Sequence, residues 1–501
     1  MAFLLENISI RQTIIYSVNP RSSIMLQKKL IPLLLAVLCA APAAYADVKL
    51  IAIGSLGGNV SDLSTETSGL LANGVAGNLL GGLGSGIAYA GNNTFIATPD
   101  RGPNATPYNA LVDDTTSYIA RFQTITMGLT ANTSGSGLAF NLTPTLTATT
   151  LLSSSTALTY GTGTAQGIAN GAPALNAINN TNYFTGRSDN FNPALSSTNP
   201  ANARLDPEAV RVSADGKSVF VADEYGPYVY QFDRATGVRI KSFALPANLA
   251  ITHLNAQGAL EISGNSVGRV TNKGMEGLAI SPDGKTLVGI MQAPLEQDTQ
   301  KNIRIVTIDI ASGATKEFAY KLTTGSGVSE IVALNDHQFL VDERDGKGLG
   351  DGSTAVVKQL FKIDITGAQD VSGLSGDLSA KAVGKTLFLD IVGVLNANGI
   401  ASNLIPAKIE GLAFGSDVLI NGVINHTLYV ANDNDFVPGV AGDNKFFVFG
   451  VTDAYLATVG ATYTAQSIAS AVPEPDTYAM LAAGLCLLGF TQRRRKSKSF
   501  K

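Results

Sequence analysis

Four glutamates recur at one phase of a repeated pattern: Glu208, Glu276, Glu330 and Glu410 each stand just before an apolar run. A second acidic position closes the following run, at Asp223-Glu224, Asp342-Glu343 and Asp433, and a fainter copy places Asp100 beside Arg101. Carboxylates brought together repel one another, and their pKa values rise unless a cation neutralises them. The chain has three histidines and two cysteines in 501 residues, so any metal would be held mainly by oxygen. Such donors favour calcium or magnesium over zinc. The expectation is one or more Ca²⁺ ions held among Asp100, Glu208, Asp223, Glu276, Glu330, Asp342, Glu410 and Asp433. The same pattern has a structural alternative. Each Glu could instead tie its strand to a neighbour through backbone N–H groups, or pair with an arginine such as Arg101 or Arg344.

For these side chains to meet, the segments that carry them must be arranged in a ring. Asp215-Gly216 and Asp283-Gly284 lie between alternating hydrophobic residues, the strongest short-range hairpin signal. Hairpins of this kind are expected at 206–224, 274–292, 329–345, 409–435 and, more faintly, 85–101. Further strands follow at 228–233, 303–309, 359–364 and 445–449, giving about four strands per unit. Successive glutamates lie 68, 54 and 80 residues apart, more than a bare blade of about 40–50 residues. The fold class expected is all-β: a β-propeller of six or seven blades with long loop insertions. Five copies are visible, and the Ser/Thr-rich stretch 131–200 has room for one or two more, or for a long surface insertion. An open β-sandwich would give no reason for acids at the same phase of every repeat. In a blade the start of the innermost strand and the end of the second share one rim, so the acids should collect at one mouth of the central channel.

Composition narrows the function. Ten of the 35 basic residues and three of the 39 acidic ones lie in the terminal segments, so the body carries a net charge of −11. Such a surface repels nucleic acid and anionic membranes. Both cysteines, Cys39 and Cys486, lie in segments expected to be removed. A mature body without thiols has no disulfide framework and no thiol nucleophile. No Gly-x-Ser-x-Gly elbow occurs, and Gly81-Gly82-Leu83-Gly84 lacks the Lys and Ser/Thr of a phosphate-binding loop. His337 falls in a hairpin turn and reads as a solvated residue.

The ends read as targeting segments. Lys28-Lys29, the apolar run 30–41 and Ala44-Tyr45-Ala46 form a cleavable secretory signal, 1–46, whose true start is Met25. Val472-Pro473-Glu474-Pro475, an apolar helix over 478–490 and Arg493-Arg494-Arg495-Lys496 follow the body. The basic cluster holds that end in the cytoplasm. This tail, 472–501, resembles the PEP-CTERM sorting signal. The resemblance implies an exported protein of a Gram-negative envelope or extracellular matrix. It also implies handling by a signal peptidase and an exosortase-type processing enzyme, with membrane contact only through the tail before processing.

The body, 47–471, resembles the phytase-like family known as "esterase-like activity of phytase". The phrases that carry the likeness are 81–89 with Asp100-Arg101-Gly102, Asp206-Pro207-Glu208-Ala209, Asp223-Glu224-Tyr225-Gly226, and 272–279. The similarity runs from about Gly81 to about Phe449; 131–200 departs from it. It implies an exported propeller with metal-assisted phosphoesterase action on phosphate esters. In that picture Arg101 or Arg344 stabilises phosphoryl charge, Glu224 or Glu343 serves as base, and Glu276 takes part in catalysis. The competing class is non-enzymatic: calcium-dependent binding of a ligand or matrix polysaccharide at the same mouth.

Overall fold

A computed structural model describes residues 48–71, 73–104, 113, 115–161, 181–226 and 228–469. The expected signal segment, sorting tail and 478–490 helix lie outside these residues. Among the described residues no helix is long and apolar enough to cross a membrane.

Local sequence sets the hairpins. Gly216 and Gly284 both adopt φ +71°, which glycine reaches without steric cost. Ahead of each turn a serine hydroxyl, Ser213 or Ser281, donates to Asp215 or Asp283, and that carboxylate accepts the N–H of Lys217 or Lys285 at 3.0 Å. The phrase Ser-x-Asp-Gly-Lys is thus a self-contained turn, which is why it recurs.

The hairpins grow into antiparallel blades whose strands, from the channel outward, follow in this order. Blade 1 is Gly86–Tyr89, Thr94–Thr98, Arg121–Ala131 and Phe140–Leu151. Blade 2 is Pro207–Val212, Ser218–Asp223, Tyr228–Asp233 and Arg239–Ala244. Blade 3 is Met275–Ile280, Thr286–Met291, Asn302–Asp309 and Thr315–Lys321. Blade 4 is Gly327–Ala333, Gln338–Arg344, Lys358–Asp364 and Lys385–Asp390. Blade 5 is Lys408–Phe414, Val423–Asp433, Asn444–Val451 and, from the opposite end of the body, Lys49–Leu56.

The described residues therefore form five blades, not the six or seven expected. Each innermost strand packs against the next, and Lys408–Phe414 packs back on Gly86–Tyr89, so the ring is closed. The Ser/Thr-rich stretch supplies an outer strand, Phe140–Leu151, a short pair Ser153–Ser154 with Asn182–Tyr183, and loops. Its threonines alternate on a half-exposed surface, which suits an outer strand and no channel position. Blade 5 is completed by Lys49–Leu56 pairing with Asn444–Val451, in the register Leu56↔Asn444 to Lys49↔Gly450.

Two features of the repeat have packing causes. The glycine after Glu276 and Glu410 lies against the neighbouring inner strand. A Cβ on Gly277 would meet the Ile331 nitrogen at 2.7 Å, and one on Gly411 would meet the Gly84 oxygen at 2.9 Å. Glu208, Glu276 and Glu410 fall within register shifts, between Pro207 and Val210, Met275 and Gly277, and Ile409 and Leu412, whereas in blade 4 the shift takes Ser329 and Glu330 stays paired with Asp342. Bulges of this kind re-aim a side chain. Pro207–Val212 and Met275–Ile280 are buried along their whole length, as strands covered on both faces must be.

The rim opposite the glutamates is crossed by residues 461–469. Thr464 N–H donates to Leu334 O, Gln466 to Val212 O and Ala469 N–H to Ala214 O. This strap leads from blade 5 past blade 4 to blade 2. Tyr463 begins it, packed 4.5 Å from both Phe414 and His426.

Candidate functional site

The acidic mouth is a ring of carboxylates interrupted by three cations. Arg101 is the first. Its guanidinium lies 2.8 Å from Asp206 Oδ2 and 3.9 Å from Glu224 Oε2, its backbone N–H donates to Asp206 Oδ1 at 2.9 Å, and it contacts Asn272 Oδ1. Arg344 is the second, on Glu410 Oε1 and 3.9 Å from Glu276 Oε1. Lys408 is the third, 2.9 Å from Asp433 Oδ2 and in contact with Asp435 Oδ1. Two trios of carboxylates, Asp100/Asp433/Asp435 and Asp206/Glu208/Glu224, each have one oxygen per residue within 4.8 Å of the others.

Burial dominates the electrostatics. Glu224 is pushed up to about 8, first by desolvation and then by the Asp206 charge. Desolvation carries Glu410 up to about 7 although Arg344 pulls it back. Glu208, Glu276 and Asp100 all rise well above the usual carboxylate range, by burial and then by neighbouring acids. These shifts link the groups into a circuit: Glu276 feels Glu224 and Glu410, Glu410 feels Asp433, and Asp100 feels Asp433 and Asp206.

Some hydrogen-bonding capacity is left over. Glu276 accepts from Gln292 Nε2 at 2.7 Å through Oε1. Its Oε2, Glu410 Oε2 and Arg344 Nε are buried without a hydrogen-bond partner among the described residues. Buried polar atoms are normally satisfied, so this corner of the ring has room for a ligand atom, an ion or water.

Of the residues expected at the mouth, the structure brings together Asp100, Arg101, Glu208, Glu224, Glu276, Arg344, Glu410 and Asp433. Asp342 lies beside them, rises to about 7 through burial, and is held by the Ser329 hydroxyl at 3.0 Å. Three expected residues do other work. Asp223 Oδ1 accepts the backbone N–H groups of Asp206 and Tyr225, both at 3.1 Å, and shapes the loop that carries Asp206. Glu330 turns along the channel to Arg211 at 3.0 Å and accepts the N–H of Leu278, tying blade 4 to blade 3. Glu343 leaves the mouth altogether. It contacts Lys385, accepts the Tyr320 hydroxyl at 2.6 Å and the Thr324 N–H at 2.9 Å, and despite its burial is held at about 2. A carboxylate so fully bonded, and so acidic, has no basicity to offer a substrate.

Sequence reasoning missed Asp206, Lys408, Asp435, Asn272 and Gln292. A signal existed for three of them. Asp206, Lys408 and Asp435 stand two residues from Glu208, Glu410 and Asp433, so each is a charged neighbour of a residue already singled out, although Asp206 and Asp435 fall just outside the strands Pro207–Val212 and Val423–Asp433. Lys408 is moreover directly opposite Asp433 in the ladder, a stabilising cross-strand pair. Asn272 and Gln292 are joined to the ring only by the tertiary fold.

Residues 78–436 match the family described as "Esterase-like activity of phytase", and residues 471–496 match the PEP-CTERM protein-sorting motif. An uncharacterized secreted protein of Arthroderma benhamiae is 30% identical over 179 residues, covering 28% of this chain and 34% of the relative. The chain thus spans about a third of the length of that relative. Among solved structures, Kuenenia stuttgartiensis hydrazine synthase is similar with a TM-score of 0.29 and 13% identity, covering 72% of this chain and 80% of the other. The PQQ-bound aldose sugar dehydrogenase of Streptomyces coelicolor has a TM-score of 0.29 and 10% identity, covering 73% and 79%.

Proposed function

Because the chain belongs to the family described as esterase-like activity of phytase, we propose that its acidic mouth is a divalent-cation-dependent centre for hydrolysing phosphate esters. The observation that carries this is the pair of buried oxygens beside Arg344, Glu276 Oε2 and Glu410 Oε2, left without hydrogen-bond partners among the described residues. The donor set fits a hard cation: oxygens only, in two trios, with no thiol and no imidazole. Glu208, Glu224 and Asp206 would hold one ion, and Asp100, Asp433 and Asp435 another. Calcium bound there would supply Lewis-acid polarisation of a phosphoryl oxygen.

The chain's own groups have definable tasks in this reading. Without an ion, burial puts Glu224 at about 8 and Glu410 at about 7; a bound cation would lower Glu224, one of its ligands, so Glu410, outside both trios, is the group left to exchange protons near neutral pH. Arg344, with Nε free of hydrogen bonds among the described residues, and Arg101 present guanidinium groups suited to a phosphoryl group. Glu276 lies 3.9 Å from the same Arg344 nitrogen that Glu410 contacts, and helps to position it.

The PEP-CTERM motif implies processing by an exosortase-type enzyme and supports export. We place the exported protein in a Gram-negative envelope or extracellular matrix. The same motif favours a second reading, in which the mouth binds a matrix polysaccharide or another ligand through calcium without turnover.

The test measures phosphate release from phytate and p-nitrophenyl phosphate in Ca²⁺, for wild type and Glu276→Gln, with calorimetric titration of the chelator-treated protein. Hydrolysis by wild type and a loss on the order of 10²-fold in the variant are expected. Equal rates would remove Glu276 from the mechanism. Calcium binding without release would leave the binding reading standing, and no heat with no change in Tm would end the metal reading.

A further inference from the structure

The three cations of the mouth are not equivalent. Arg101 is fixed at several points by Asp206 and Asn272, and its side chain is 14% exposed. Lys408 rests on carboxylates alone, and its side chain is 31% exposed. Its ammonium lies 2.9 Å from Asp433 Oδ2 and touches Asp435 Oδ1. These two residues belong to one of the two acidic trios. A calcium ion takes carboxylate oxygens at about 2.3–2.6 Å. An ion shared by those two oxygens would fall where the Lys408 nitrogen now is, so both cannot be present together.

The geometry points to Lys408 as a built-in counter-ion that occupies the Asp100/Asp433/Asp435 site and must swing out when a divalent cation enters. The inference rests on the cation reading above and deepens it. A second observation supports an ion there. Glu410, two residues from Lys408 in the same strand, is buried, and its Oε2 has no hydrogen-bond partner among the described residues. Lysine suits the role because its ammonium is a compact charge on a flexible stem, whereas arginine holds a planar geometry. The partial exposure of Lys408 gives the stem a route to solvent. Once displaced, the ammonium remains tethered at the mouth, where an anion bound to the metal would meet it. Metal entry and anion binding should then reinforce each other, as linked equilibria require.

The experiment titrates the purified, chelator-treated protein with Ca²⁺ by calorimetry, comparing wild type with Lys408→Met and Lys408→Arg. The expected result is about tenfold tighter calcium binding in Lys408→Met, and binding no tighter than wild type in Lys408→Arg. Inorganic phosphate should tighten calcium binding in wild type and lose that effect in Lys408→Met. Wild type also carries the test without mutation: after reductive ¹³C-methylation, the Lys408 resonance, identified by its absence in Lys408→Arg, should move on adding Ca²⁺. Equal calcium affinity in wild type and Lys408→Met, or an unmoved resonance while heat is released, would overturn the counter-ion role alone. No calcium heat in any of the three proteins would overturn it together with the metal reading.

Discussion

Stripping divalent ions and then raising the pH should weaken the propeller through its acidic mouth. Without a bound ion, burial and the Asp206 charge put Glu224 at about 8, and burial puts Glu410 at about 7. In the unfolded chain both return to about 4.3. Between about pH 5 and pH 8 the folded state therefore holds more protons than the unfolded one. Stability follows the difference in bound protons, so it is greatest at the acid end of this window and falls as the pH rises. Each retained proton is worth about 1.4 kcal/mol per pH unit. Glu410 alone would then cost roughly 3–4 kcal/mol by pH 8, and the two together up to about 8, an upper bound because neighbouring acids titrate jointly. Groups held low act in the opposite sense but elsewhere. Glu261, despite burial, is kept at about 2 by Arg269 and Arg204, and Glu343 by Lys385 and Tyr320. Their contribution disappears only below about pH 4.5, where unfolded carboxylates take up protons. The assay is urea unfolding in chelator at steps across about pH 5 to pH 8, repeated with excess Ca²⁺, which should flatten the fall and restore about 4 kcal/mol at a thousandfold excess over Kd. Glu224→Gln should give a slope shallower by about 1.4 kcal/mol per pH unit. A stability in chelator that stays level or rises across this window would refute the reasoning.

Two structural predictions complement this one. Glu343→Gln leaves the buried end of Lys385 without its countercharge and should cost about 3–5 kcal/mol in unfolding free energy. Calcium affinity should be unchanged, since Glu343 lies outside the mouth, and a shift in calorimetric Kd would contradict that placement. Gly84→Ala would set a Cβ 2.1 Å from the Asn432 carbonyl oxygen, where blades 1 and 5 meet. Backbone cannot yield as a side chain can, so a loss of about 3 kcal/mol or more is expected; a wild-type Tm in scanning calorimetry would show that the two blades are not in close contact there.

How much of this was legible in the chain differs from one element to the next. The inner hairpins were, because alternation and the Ser-x-Asp-Gly-Lys turn are local. Asp215 and Asp283 complete their turns within five residues. The blade number was not, because Phe140–Leu151 carries the alternation of a strand without revealing that it lies at the outer edge of blade 1. Nor was closure, since Lys49–Leu56 finds its partner in Asn444–Val451 at the far end of the body, and no periodicity names a partner.

The site divides in the same way. The recurrence of Glu208, Glu276 and Glu410 at one phase, and the excess of oxygen donors, are properties of the sequence. So is the PEP-CTERM motif at the C-terminal end, which supports export without any fold. Which acids face one another was decided only in three dimensions. Glu330 and Glu343 recur at the same phase of the repeat as Glu276 and Glu224, yet Arg211 and Lys385 claim them. Local sequence specifies where a strand begins and which face a side chain shares with its second neighbour. The countercharge each carboxylate meets depends on which blade stands next to it, and that is set by ring closure and packing across hundreds of residues.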